Sequence, residues 1–412
     1  MFIRAIKNPH RSQQRLGFLK YLTYKASQND STPLKVLGED LAKTLSKKIN
    51  VPLNDSIEEY VKNRLRNHSK NTQEKIYIEL QDLYLSDPKI PSKTGKLYSY
   101  DSQKRYPYFL SSLGLAREKT YSLLVRGKVF LQFVSKDEIN SFNAYTPNHN
   151  PLLLNDYQKY AFLYSILEND GDVLKLLYTQ LLNFKNSFSD WQAGDYLPEI
   201  YEKIAQVYTP NITSGVDRER INHLVESAKK IKIWVNKPRT GGRGAKIDAI
   251  TPRLEPFIDL GLLEKPDPYK YEYKFTERGR EFFNSFSNAE NTDKFLDFQF
   301  FSTLVKSFKL KAKHATDNEM IEVLISAFHK IKSPLGYAPI REIALLSIID
   351  SIVNENKYFE IGKAVKLIME YQKQHPYKLR FQVDRSGAPV YVKFLTDKIS
   401  EVKDANPFRG RN

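Results

Sequence analysis

Apolar positions repeat at two different periods along this chain, and the clearest change of period falls between Ile250 and Phe283. Leu254, Phe257, Ile258 and Leu260 recur at helical spacing, which turns one apolar stripe toward a core. Thr251-Pro252 reads as the helix start, because the hydroxyl can cap free amides and a proline at the first helical position loses nothing by lacking an N–H. Gly261 reads as its end, since glycine enters the left-handed region without a steric penalty. The period then drops to two. Leu262 and Leu263 open a strand, Lys265-Pro266-Asp267-Pro268 turns it, and Tyr269, Tyr271, Tyr273 and Phe275 alternate with charged or polar residues in the return strand. Thr276-Glu277-Arg278-Gly279-Arg280 leads into a short helix carrying Phe282 and Phe283.

Two other stretches carry related patterns. Upstream, Leu113-Gly114-Leu115 precedes Tyr121 to Phe130, so that Leu-Gly-Leu, an aromatic strand, Arg-Gly-basic and a phenylalanine recur in the order seen from Leu260 to Phe282. Near the C-terminus, Pro339 opens an amphipathic helix running through Val353, and Ile361 to Gln372 forms another. The hairpin that follows has Phe381 and Val383 in one arm, Val390, Val392 and Phe394 in the other, and Asp384-Arg385-Ser386-Gly387 as its turn.

The remaining chain reads as helical. Amphipathic runs lie at Arg15 to Tyr24, Leu37 to Ile49 and Ile57 to Leu65, with Arg64, Arg66, His68 and Lys70 grouped after the last. Such helices suit an arm along a DNA backbone or a docking surface, and the pattern does not separate the two. A further helix runs from Thr72 toward Leu85, and a turn over 91–96 follows. Residues 151–189 predict two helices joined by Asn169-Asp170-Gly171-Asp172, whose carboxylates read as a turn and an N-cap. Asp217 to Trp234 and 293–330 predict further helices, the latter with a basic run at Lys306, Lys309, Lys311 and Lys313.

The segment from Ile250 to Phe283 resembles the winged helix-turn-helix family, whose modules often end in a Gly-Leu-Leu, Tyr-x-Tyr, Thr-x-x-Gly-x-x-Phe succession. The resemblance implies a mainly α fold with short antiparallel β-hairpins, built as two or three tandem winged-helix modules on helical scaffolding. The expected organisation is an N-terminal helical arm over 1–70, a first winged-helix-like module over 71–150, and a helical spacer over 151–210. A second module over 211–290 precedes a helical segment with a C-terminal winged-helix-like module over 291–412. In architecture this resembles the target-recognition regions of type IIS restriction endonucleases.

Composition narrows the function classes. Among 412 residues, 64 Lys and Arg face 48 Asp and Glu, a net charge of +16 whose field draws polyanions. The basic surplus is segmental: residues 1–50 carry ten cations and three carboxylates, whereas 151–200 carry three and seven. No cysteine occurs, which excludes disulfides, thiol nucleophiles and cysteine-bound zinc. No run approaches the ~18 apolar residues of a membrane span, and the expectation is a cytoplasmic chain without a membrane partner. Seven histidines are scattered without a metal-binding pair, so no metal and no cofactor are expected. Pro266-Asp267 and Glu272-Tyr273-Lys274 carry the letters of a restriction-type nuclease site, but too few residues separate the acids to bring them to one ion.

The expected chemistry is therefore binding, with no catalytic residue assigned. Lys237, Arg239, Arg243 and Lys246, interleaved with glycines, combine charge with close backbone approach and read as phosphate or minor-groove contacts. Thr251 and Arg253 lie at the start of the expected recognition helix, with Arg253 as the guanine or phosphate contact. Lys270, Lys274 and Arg278 are the candidates in the second wing, and Arg117, Lys119, Arg126 and Lys128 in the first. The implied function is a non-catalytic double-stranded DNA-binding protein, a recognition or sensor subunit of a prokaryotic defence or mobile-element system whose other subunits supply enzymatic activity. The alternatives are a plasmid or transcription regulator with tandem winged helices, a protein-interaction scaffold, and a restriction-type nuclease with an unrecognised catalytic site.

Overall fold

The computed structural model describes residues 3–6, 9, 15–28, 100–120, 122–135, 137–138, 153–212, 215–235, 243–266, 271–384 and 387–395. The expected helices at 37–49, 57–65 and 72–85, the basic group at 64–70 and the turn at 91–96 lie outside these residues. What is described is mainly helical, with a few short strands.

Helix α1 (Leu16–Gln28) buries Leu16, Phe18, Leu19, Tyr21, Leu22 and even Lys20, whose ammonium donates to Glu138 at 2.5 Å. A helix covered on all sides is a core element. It packs against α2 (Tyr100–Ser112) and α3 (Val125–Leu131), and Arg15 beside it pairs with Asp259 at 2.8 Å. The expected arm is thus not free along this stretch.

The organising element is α4 (Asp156–Leu181), 26 residues long and opened by a capping box on Asn155 and Gln158. It runs unbroken through Asn169-Asp170-Gly171-Asp172, where two helices were expected. The turn-forming residues are held helical by tertiary partners. Gly171 lets Thr292 approach so closely that an added Cβ would sit 2.5 Å from its methyl. Asp170 accepts the Ile6 amide at 2.9 Å, and Asp172 accepts the Arg4 amide at 2.9 Å, the Thr292 hydroxyl at 2.8 Å and the Tyr208 hydroxyl at 2.7 Å. Side chains that would otherwise compete with the helix are occupied elsewhere.

After α4 come β1 (Ser187–Ser189), α5 (Asp190–Asp195), α6 (Leu197–Tyr208), α7 (Gly215–Val235) and α8 (Arg243–Ile250). The helix expected from Thr251 is instead a 3-10 turn, Thr251–Arg253, and the single turn α9 (Glu255–Asp259). Pro252 and Pro256 each remove an amide and disfavour helical geometry in the preceding residue, so the stretch is broken. Thr251 caps nothing; its hydroxyl donates back to the Ile247 carbonyl at 2.9 Å. Gly261 does adopt φ 70°, and β2 (Leu263–Glu264), β3 (Glu272–Phe275) and α10 (Glu277–Asn288) follow as expected. Thr276 caps α10 through Gly279, and Tyr273, Phe275, Phe282 and Phe283 turn inward. The Phe283 ring stacks on Tyr178 of α4, centroids 3.6 Å apart. The sheet order is β1-β3-β2.

The C-terminal part contains α11 (Thr292–Phe298), α12 (Phe300–Ser307), β4 (Lys313–His314), α13 (Asp317–Ile331), β5 (Ala338–Pro339), α14 (Ile340–Glu355), β6 (Lys357–Tyr358), α15 (Ile361–Gln374), β7 (Leu379–Val383) and β8 (Pro389–Phe394). Here the two helices and the hairpin fall where the periodicity places them. The sheet order is β5-β8-β7, and β4 pairs with β6 in parallel. Both three-stranded sheets therefore share one topology: a lone first strand, intervening helices, then a hairpin whose second arm lies in the middle.

The upstream repeat is also visible in the backbone. Gly114 and Gly261 have φ 71° and 70°, each ending a helix with an amide bonded five residues back, Leu115 to Leu110 at 3.1 Å and Leu262 to Phe257 at 2.8 Å. The amide returning after the hairpin then meets the same carbonyl, Leu124 to Leu115 at 3.0 Å and Thr276 to Leu262 at 3.2 Å. Gly127 and Gly279 lie against those two carbonyls so closely that a Cβ would press into the oxygen. The upstream hairpin is shorter, with a single bridge between Ala116 and Leu123.

Candidate nucleic-acid interface

The sequence-selected cations divide into those the core consumes and those it leaves in solvent. Arg253 is 1% exposed. Its Nε donates to Asp170 Oδ2 at 2.7 Å, its Nη2 to Oδ1 at 2.9 Å, and its Nη1 to the Tyr201 hydroxyl and the Ala249 carbonyl at 2.8 and 2.7 Å. Burial disfavours its charge, and Asp170 and the Tyr201 hydroxyl together more than offset this, so the guanidinium is held firmly cationic. Burial pushes the Asp170 carboxyl above its ordinary value while Arg253 and the Ile6 amide pull against it. Arg253 is a buried structural cation and not a base or phosphate contact.

Arg126 has the same fate. It forks onto Glu342 with two bonds of 2.6 Å and reaches Glu168 at 2.7 Å, with Tyr164 beneath the guanidinium at 5.2 Å. Burial works against its charge and the two glutamates prevail. One side chain thereby joins α3, α4 and α14. Lys246, placed by the Gly-rich reading in a phosphate loop, is 1% exposed within α8. It pairs with Asp195, stands 3.7 Å over the Trp191 ring, and fills the space beside Gly194. Thr251 is fully buried as well.

Among the other candidates, Arg117, Lys119, Lys128, Lys274 and Arg278 are exposed. Lys274 and Arg278 are four residues apart, at the end of β3 and the start of α10; Lys274 faces Glu264 at 3.3 Å, and Arg278 spreads over the Phe308 ring at 5.3 Å. Arg243 begins α8. Lys237, Arg239 and Lys270 lie outside the described residues, as does Asp267. The nuclease letters that are described serve the sheet: Glu272 accepts from Ser187 across β1 and β3, and Lys274 pairs as above. Among the described residues, no three His, Cys, Asp or Glu side chains gather as a metal site, and no helix is long and apolar enough to cross a membrane.

No family model matches the chain, and neither a curated protein nor a solved structure matches it. What bears on function is the shared sheet topology and the placement of exposed charge.

The C-terminal unit holds cations that the sequence reading left unassigned. Ile361, Ala364, Leu367, Ile368 and Tyr371 of α15 are buried, which leaves Lys363, Lys366 and Lys373 exposed on the opposite face. The helical period alone could have found them. Lys363 and Lys366 pair with Asp317 at 3.1 Å and Glu370 at 3.7 Å, and exposed pairs of this kind hold their charge weakly, about 0–1 kcal/mol. In the adjoining hairpin, Arg380, Gln382 and Tyr391 are exposed, with Gln382 and Tyr391 directly opposite each other.

Proposed function

We propose that the chain is a double-stranded DNA-binding protein in which two winged-helix modules, one around β1-β3-β2 and one around β5-β8-β7, are fixed to a common central helix. The observation that carries this reading is the common sheet order, reached twice through strand, helices and hairpin. A net charge of +16 and exposed cations on α15 and its hairpin supply the electrostatic side. The upstream unit, with its matching Gly-Leu turn and Arg-Gly contact, is a third, abbreviated member.

On this reading the contacts come from the exposed set: Lys274 and Arg278 in the middle unit, Arg117, Lys119 and Lys128 upstream, and Lys363, Lys366, Lys373 and Arg380 in the C-terminal unit. Phosphate contacts of this kind give affinity that falls steeply with salt. A mobility-shift series on random duplex DNA at increasing salt tests it, and absence of binding at low salt refutes it. The role of recognition or sensor subunit in a prokaryotic defence or mobile-element system, with partner chains supplying catalysis, belongs to the same proposal.

A protein-interaction scaffold is the second reading. Val383, Val390, Tyr391 and Leu395 are exposed apolar side chains of one hairpin and its exit, a composition suited to another protein surface. That reading requires affinity for a partner chain and none for duplex DNA.

A further inference from the structure

Between the two three-stranded sheets the chain passes through Lys306 to His314, which holds four lysines, a histidine and no carboxylate. This segment is fixed at both ends. At its start, Leu310 donates to the Val305 carbonyl at 2.9 Å and Phe308 lies beneath Arg278; at its end, Lys313 donates to the Asn356 carbonyl at 2.8 Å and Ala315 to that of Tyr358 at 2.9 Å. The His314 ring rests on Tyr358 with centroids 4.2 Å apart, and its Nε2 lies 2.9 Å from the Tyr358 hydroxyl. The result is a basic ridge pinned at both ends, running from the start of α10 to the start of α15.

Its residues are poor choices for folding alone. Lys309 has φ 54° at a helix end of the same kind as those formed by Gly114 and Gly261, where a side chain is strained. Lys313 and Lys357 face each other in register across the parallel bridge, an arrangement of like charges that disfavours pairing. Lys357 turns to Glu319 at 2.9 Å, while no carboxylate among the described residues pairs with Lys311 or Lys313. Lys306 and Lys309 meet Glu281 and Glu277 only through exposed pairs of 3.3 and 2.9 Å. Local rules broken without a compensating contact in the fold point to a role outside it.

We propose that this ridge is itself a contact for the sugar–phosphate backbone of duplex DNA, gripping phosphates between the two modules. The inference rests on the DNA-binding reading above and adds a surface that neither module contains. Lys311 and Lys313 are both exposed on either side of the half-buried Ala312; in extended backbone, residues two apart share a side and stand about 7 Å apart, the spacing of successive phosphates on one strand to within the reach of a lysine side chain.

The test is the salt dependence of affinity for a random duplex, measured for the full chain and for Lys311→Gln/Lys313→Gln. Each phosphate contact contributes about 0.9 to the slope of log K against log salt, so the slope of the double variant is expected to shrink by about 2, with affinity near 0.1 M salt falling on the order of tenfold or more. Its Tm is expected to hold or rise, because both side chains are exposed and the change at Lys313 relieves its repulsion from Lys357. Lys309→Gly is expected to raise Tm while weakening binding, a split that a merely structural lysine does not give. The charge-matched Lys229→Gln/Lys230→Gln variant, on α7 and outside the ridge, is expected to retain the slope. If the wild type binds steeply and the ridge variant keeps its slope, or if both double variants lose equally, the ridge proposal is overturned while the DNA reading stands. If the wild type itself does not bind, both fall.

Discussion

Arg253 and Asp170, 83 positions apart in the chain, meet inside the protein through two hydrogen bonds of 2.7 and 2.9 Å, with both side chains 1% exposed. The pair fixes the kinked segment after α8 to the middle of α4, and Tyr178 of the same helix donates to the Arg253 carbonyl at 2.9 Å. Removing one partner leaves an uncompensated buried charge. Arg253→Ala and Asp170→Ala are each expected to lower the unfolding free energy by about 3–5 kcal/mol, read from urea denaturation. Arg253→Met with Asp170→Leu is expected to cost less than either single change. Equal or greater loss in the double variant would refute the view that isolated charge is what hurts.

Gly127 and Gly279 test the repeat. A Cβ at either position enters the backbone carbonyl of the preceding Leu-Gly-Leu turn, which cannot give way as a side-chain tip can. Both Gly127→Ala and Gly279→Ala are expected to destabilise by more than the roughly 1 kcal/mol that an overpacked core ordinarily costs at the low end, with Gly279→Ala the worse. By contrast, Gly215→Ala, where nothing lies within 4 Å of the new methyl, is expected to leave Tm unchanged or raise it. Thermal unfolding of the three variants decides the matter.

Glu360 gives the C-terminal unit a pH dependence. Burial pushes its carboxyl up to about 7, although it accepts the Phe301 and Ser302 amides at 3.1 and 2.7 Å. The folded state thus holds the proton more tightly than the unfolded chain. Its contribution favours folding at low pH and is lost as pH rises from the ordinary carboxylate value of 4.5 through about 7. The whole effect is on the order of 3 kcal/mol. Glu360→Gln is expected to flatten stability across that window and to raise Tm above pH 7. An unchanged pH profile in the variant would contradict the assignment.

How much of this was legible in the sequence follows from how local each feature is. The C-terminal helices and hairpin were readable because Ile361 to Tyr371 and Phe381 to Phe394 keep clean periods from end to end. The Leu-Gly-Leu turns were readable because glycine in the left-handed region is a local event. The unbroken α4 was not, since Asp170, Gly171 and Asp172 signal a turn until Arg253, Thr292, Tyr208 and residues 4–6 are brought to them. For the same reason Arg253, Arg126 and Lys246 looked like contacts. Only the fold tells an arginine facing solvent from one facing a carboxylate many residues away. The exposed lysines of α15 are within reach of the helical period, because every buried residue of that helix falls on the opposite face.

The most direct measurement is the affinity of the full chain for a random 30-base-pair duplex, followed by fluorescence anisotropy from about 50 to 300 mM salt, beside Lys363→Gln/Lys366→Gln/Arg380→Gln. The expected result is a linear fall of log K with log salt at a slope of about −4 or steeper, weakened by about 2 to 3 in the triple variant with Tm retained. No binding at the lowest salt, or binding indifferent to salt and to these three changes, would contradict a DNA-binding role.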